Sequence, residues 1–128
     1  MIPAEYLDQV KVRLLTDTLV AEFEIRRERS TLVDAHIRVR VSLVDRSMLE
    51  FSEYVTRTAD GQIDVVVYSY HWESAAQQLI CRWDNVPHFP GLPGFPHHLH
   101  DGRTQQVAPG QPMTIFSVLD KIREILSQ

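Results

Sequence analysis

Apolar and polar positions follow a helical period at the two ends of the chain and a period of two between them. Leu7, Val10 and Leu14 recur at helical spacing between Pro3 and Leu15, with Asp8, Lys11 and Arg13 elsewhere. Pro3 suits a first helical turn, so this stretch predicts a short helix. From Thr18, Leu19, Ala21, Phe23 and Ile25 alternate with Val20, Glu22, Glu24 and Arg26, the pattern of a half-buried strand. Val33 to Leu43 gives the cleanest alternation, with Ala35, Ile37, Val39 and Val41 set against Asp34, His36, Arg38, Arg40 and Ser42. A third strand holds Leu49, Phe51 and Val55, and Glu53 interrupts its apolar set. Asp60-Gly61 marks a hairpin turn. In a fourth strand, alternation puts Ile63, Val65 and Val67 on one face and Asp64, Val66, Tyr68, Tyr70 and Trp72 on the other. Leu79, Cys81 and Trp83 define a fifth. Thr114 can cap a last helix, with Ile115, Val118, Leu119, Ile122, Ile125 and Leu126 as its apolar stripe. The expected fold is α+β: a five-stranded antiparallel meander sheet packed on N- and C-terminal helices, with a long Pro/His-rich loop.

Composition narrows this picture. At 128 residues the chain fits one domain, and 44% hydrophobic residues suffice for a core. No apolar run reaches the roughly 18 residues of a membrane span, so no membrane partner is expected. The N-terminal residues carry Glu5 and Asp8 and do not read as a signal peptide. Cys81 is alone, which excludes an internal disulfide and suits a cytoplasmic location, with the thiol buried in a strand. The net charge of −4 argues against a broad electrostatic footprint on nucleic acid. Of the 13 basic residues 11 are arginine, which holds phosphate and stacks on bases better than lysine.

Candidate chemistry concentrates between Tyr68 and Asp101, which holds five of the six histidines and both tryptophans. Pro87, Pro90, Pro93 and Pro96 recur every three residues, the period of polyproline II, so the segment predicts an extended strap. If the strap stays extended to Asp101, His98 and His100 share a face and His97 points away. Three chemistries fit: metal binding by the His-x-His pair with Asp84 or His71, acid–base cleavage of RNA with Arg82 on the phosphate, and a structural role in satisfying backbone groups. A hairpin of the fourth and fifth strands brings His71, Arg82 and Asp84 close, and the strap returns His97, His98 and His100 towards them. A second surface follows from the alternation: His36, Arg38, Arg40, Ser52 and Tyr54 beside Tyr68, Tyr70 and Trp72, a mixture able to stack bases and hold phosphates. The chain has no phosphate-binding glycine loop, H-E-x-x-H, G-x-S-x-G or cysteine pair.

The runs Y-S-Y-H-W from Tyr68, L-I-C-R-W-D-N-V-P-H from Leu79 and F-P-H-H-L-H-D-G from Phe95, with F-S-E-Y at Phe51, resemble the small bacterial and archaeal TumE-type toxins of toxin–antitoxin systems. The resemblance covers nearly the whole chain and is sharpest from Tyr68 to Gly102. Cys81 and the Gly-Leu-Pro-Gly insert around Leu92 depart from it, and the His, Arg and Asp positions do not. It implies a toxin whose gene neighbours a helix-turn-helix antitoxin. Many small toxins of this size act on RNA, so RNA is a substrate by analogy. The leading expectation is a toxin that acts on RNA without a metal or other cofactor. Its site would be His71, Arg82, Asp84, His97, His98 and His100, with Tyr70 stacking or donating a proton. His98 or His100 would be the general base or acid and Arg82 the phosphate binder. Two alternatives stand beside it: a non-catalytic module docking the antitoxin, and a metal-dependent hydrolase using His98 and His100. A second copy of the chain is a further candidate partner.

Overall fold

The computed structural model describes residues 1–128 and runs α1 (Pro3–Thr16), β1 (Val20–Ser30), β2 (Asp34–Leu43), β3 (Met48–Arg57), β4 (Ile63–Glu73), β5 (Leu79–Asp84), β6 (His98–Asp101), β7 (Gln106–Pro109) and α2 (Ile115–Leu126). The strands form one antiparallel sheet in the order of the chain. The fold is therefore α+β with two helices, as expected, but the sheet has seven strands and not five. The two missed strands have four residues each, too few for a period to show, and β7 ends in a proline. Each forms because antiparallel pairing satisfies its backbone: β6 on Cys81 to Asp84, and β7 on β6.

Both helices lie against one sheet face. Ala35, Ile37, Val39, Val41, Leu49, Phe51 and Val55 point to them and are fully buried with Leu7, Val10, Ile115, Val118 and Ile122. In β4 the alternation is broken. Tyr54 faces Val67 and Val55 faces Val65, so Val66 is an extra residue, a β-bulge. The bulge exchanges the two faces for the rest of the strand. Ile63 and Val65 pack on the core before it, and Tyr68, Tyr70 and Trp72 pack on the core after it. The expected surface of arginines beside these three aromatics is thus corrected: Ser69 and His71 stand there instead.

The period-three strap is corrected as well. Leu92 N–H donates to the Phe89 carbonyl, Phe95 to Leu92 and His97 to Gly94. Each is a tight turn closed by a bond three residues long; the first two start three residues apart, with Pro90 and Pro93 second in each, and the third starts two residues later at Gly94. Phe89 at φ 59° and Gly94 at φ 81° lie in the left-handed region, which polyproline II never visits.

The helices are tied to each other and to the sheet by polar groups. In α2 the Thr114 hydroxyl accepts from Ser117 N–H, and the Ser117 hydroxyl accepts from Thr114 N–H, a reciprocal cap. Asp17, at the end of α1, accepts from Leu19 N–H at 2.9 Å and Arg13 at 2.8 Å and pairs with Arg123 of α2. Burial raises its pKa, but the Leu19 N–H and the two guanidiniums outweigh that and hold the carboxyl below its ordinary value. A lowered carboxyl stabilises the fold above its unfolded pKa, about 3.9, and loses that contribution as pH falls through the folded one. Asp17→Asn is expected to cost about 1–3 kcal/mol at pH 7, with the gap to wild type narrowing below about pH 4. Urea unfolding of both proteins at pH 7 and pH 3 checks this; an unchanged gap contradicts it.

Candidate functional site

The sheet face away from the helices carries a row of ionisable side chains on three neighbouring strands. The β4–β5 hairpin closes through Ser74 and Gln78, with Gln77 at φ 64° making the turn. Its register sets His71 opposite Arg82, and the next pairing sets Arg82 opposite His100 and Asp84 opposite His98. Arg82 Nε donates to Asp84 Oδ2 at 3.0 Å, and Arg82 Nη1 lies 3.4 Å from His71 Nδ1. His98 Nε2 is 3.0 Å from Asp84 Oδ1 and His100 Nε2 is 3.7 Å from Asp84 Oδ2. On the far side His71 Nε2 is 3.4 Å from Glu73. The side chains of Arg82, His71 and His100 are 36%, 35% and 32% exposed, whereas those of Asp84 and His98 are 4% and 2% exposed. The row thus has an accessible rim and a buried floor.

The buried floor is held from several directions. Asp84 Oδ1 also accepts from Val86 N–H at 3.1 Å. His98 Nδ1 is 2.9 Å from the Pro96 carbonyl, which only accepts, so the proton is on Nδ1. The Phe89 ring meets the His98 and His100 rings edge-on, with centroids 5.3 and 6.2 Å apart. Burial lowers the pKa of His100, and the charge of Asp84 opposes it without reversing the shift. Gly110 backs the site: a Cβ there would sit 2.8 Å from His98 N, so no larger residue fits without moving β6.

Five of the seven expected site residues come together: His71, Arg82, Asp84, His98 and His100. The other two do not. Tyr70 lies on the opposite face because of the bulge, fully buried, with its hydroxyl donating to Glu53 at 2.7 Å. His97 points away from His98, as strand alternation dictates, and its ring stacks on Tyr68 with Nδ1 2.8 Å from the Tyr68 hydroxyl. Two positioning residues escaped sequence reasoning. Asn85 accepts from Tyr68 N–H at 3.0 Å and donates to the Val66 carbonyl at 2.8 Å, so it ties the end of β5 to the bulge. Phe89 covers the imidazoles. Neither belongs to a residue type that marks chemistry. The bulge partner of Asn85 was hidden by apparently continuous alternation.

A cleft of about 440 Å³ opens on the helix side of the sheet, between Trp72, Cys81, Trp83 and Leu99 and the end of α2 at Lys121 and Ile125. Burial, then the charge of Asp101, push the half-buried Cys81 thiol up to about 12, so it stays protonated and weakly nucleophilic. None of the His–Arg–Asp row lines this cleft.

Fold and site together define a small two-layer α+β protein with a polar cluster on the open face of its sheet. No helix is long and apolar enough to cross a membrane. The family model described as Toxin TumE matches residues 10–128, which includes the entire sheet and every site residue. The chain belongs to the TumE toxin family. That membership makes it a toxin component and implies an antitoxin as its counterpart. No curated protein and no solved structure matches the chain.

Proposed function

We propose that the protein is a toxin that cleaves RNA at the His71–Arg82–His100 rim. The observation that carries this reading is the register: one guanidinium flanked on both neighbouring strands by an accessible imidazole. Strand spacing puts the two histidine backbones about 10 Å apart across Arg82. A phosphodiester bound on Arg82 then has a proton-transferring group on either side, the arrangement that acid–base cleavage through the 2′-hydroxyl requires. Arg82 also offsets the charge that develops on the phosphate in the transition state. Asp84 fixes the guanidinium through Nε, Nη1 reaches His71 Nδ1 at 3.4 Å, and Nη2 is left free for an anion. The net charge of −4 limits general affinity for nucleic acid, so recognition rests on this local positive group. The antitoxin, in this reading, is a helix-turn-helix protein that covers the same face.

Growth of a bacterial host expressing the chain, with total RNA followed in parallel, tests the reading. Wild type is expected to arrest growth and fragment RNA. Arg82→Ala relieves both, and Arg82→Lys recovers only part, because an ammonium cannot make the paired contact of a guanidinium. A folded wild type that arrests growth with RNA intact sinks the RNA reading.

A further inference from the structure

We propose that Asp84, His98 and His100 form a site for one divalent transition-metal ion, of which zinc is the representative. The inference deepens the function proposed above and names the group that works on the β6 side of Arg82. His98 is 2% exposed, and its Nδ1 proton is committed to the Pro96 carbonyl. Its Nε2 therefore presents either a lone pair or a second proton to Asp84. Asp84 Oδ1 is 3.0 Å away but out of line, and His98 Nε2 is without a hydrogen-bond partner. A buried nitrogen left so is costly unless something between the two groups satisfies both. A cation does this, because both atoms are then donors of electron pairs to it.

The surroundings have the form such an ion needs. One ligand atom each from His98, His100 and Asp84 lies within 4.8 Å of the other two, and both Nε2 atoms face the Asp84 carboxylate, at 3.0 and 3.7 Å. The two histidines are two residues apart on one face of β6, and Asp84 is paired directly across from His98. Two imidazoles and one carboxylate suit zinc and its first-row neighbours, and three protein ligands leave a position open for substrate. The outer contacts also match. The bond from His98 Nδ1 to a backbone carbonyl orients the ring with its other nitrogen inward, and Arg82 Nε and Val86 N–H orient the carboxylate. The Phe89 ring packs against both imidazoles. Asp84, Arg82 and a divalent ion sum to two positive charges beside the place where the phosphate would bind. With the ion bound, His100 would serve as a ligand, the ion would take over its place on the β6 side of Arg82, and His71 would remain the proton-transferring imidazole on the other side.

Calorimetric titration of zinc into the chelator-stripped full-length protein, without RNA, tests the site. One equivalent is expected to bind at micromolar affinity or tighter. His98→Ala and Asp84→Asn weaken it at least about 100-fold, while His71→Ala, outside the ligand set, leaves it unchanged. The absorption of the cobalt-loaded protein gives a second readout, with intense visible bands from a four-coordinate ion. Circular dichroism confirms that each variant is folded, and Asp84→Asn, nearly isosteric, stands in if His98→Ala is not. A folded wild type that takes up no zinc overturns the site. Equal affinity in wild type and Asp84→Asn overturns it too. Zinc binding with RNA left intact sinks only the ribonuclease reading, and RNA cleavage by a protein that binds no zinc sinks only this one.

Discussion

Asp84→Asn is expected to abolish growth arrest and to lower RNA cleavage by about 100-fold or more, while the protein remains folded. Asp84 is the single group that touches both halves of the row: it fixes Arg82 through Oδ2, meets His98 and faces His100. Asparagine keeps the shape but replaces one acceptor by a donor. That donor faces Arg82 Nε or Val86 N–H, each itself a donor, so one contact is lost at a cost of about 1–2 kcal/mol. The functional loss is larger because the guanidinium loses its anchor and the row loses its negative charge together. Asp84→Ala should be worse for folding, since Arg82 Nε and Val86 N–H both lose their acceptor and the buried volume beside His98 is left empty. Thermal unfolding separates the two effects. If Asp84→Asn arrests growth as wild type does, the toxic activity resides elsewhere, and the helix-side cleft becomes the next place to look.

How much of this was legible beforehand differs from feature to feature, for physical reasons. The α+β class, both helices and five strands followed from periodicity, because each has enough residues to show its period and one buried face. The strands β6 and β7 were hidden because four residues do not make a pattern, and what holds them is pairing with a neighbour. The cluster of His71, Arg82, Asp84, His98 and His100 was legible because hairpin geometry and strand alternation are local rules. Tyr70 was misplaced by one residue, Val66, whose insertion as a bulge turns three aromatics from one face to the other. Alternation cannot report this, since valine suits either face and the apolar run simply continues. The proline repeat was read with the right period and the wrong conformation. The prolines at the second position of the first two turns give the same spacing as polyproline II, and the left-handed Phe89 goes against its own preference.

Glu53→Ala is expected to cost about 3–5 kcal/mol, the largest loss of stability from any single polar residue here. The sequence showed Glu53 only as a break in an apolar alternation. In the structure it is fully buried and accepts from the Tyr6 hydroxyl at 2.6 Å, the Tyr70 hydroxyl at 2.7 Å and Ile115 N–H at 2.7 Å. One carboxylate thus joins α1, β4 and the N-terminus of α2, where the helix dipole favours negative charge. Alanine leaves three buried donors unpaired and a void beside them. Gln keeps one accepting oxygen and loses less, about 1–2 kcal/mol. The pH dependence distinguishes the two replacements from wild type. Burial pushes the Glu53 carboxyl up, and the three donors only partly offset it. A raised carboxyl favours the fold most below its unfolded pKa, about 4.3, and that contribution is lost as pH rises through the folded value. Glu53→Gln therefore gains on wild type as pH climbs through that window, opposite in sign and higher in pH than the effect of Asp17. Because Glu53 lies on the helix side of the sheet, zinc affinity of the folded Glu53→Gln protein should equal that of wild type. Denaturant unfolding between pH 4 and pH 8 measures the first claim, and a loss below about 1 kcal/mol for Glu53→Ala would show that the three helix and strand contacts to this carboxyl add little to stability.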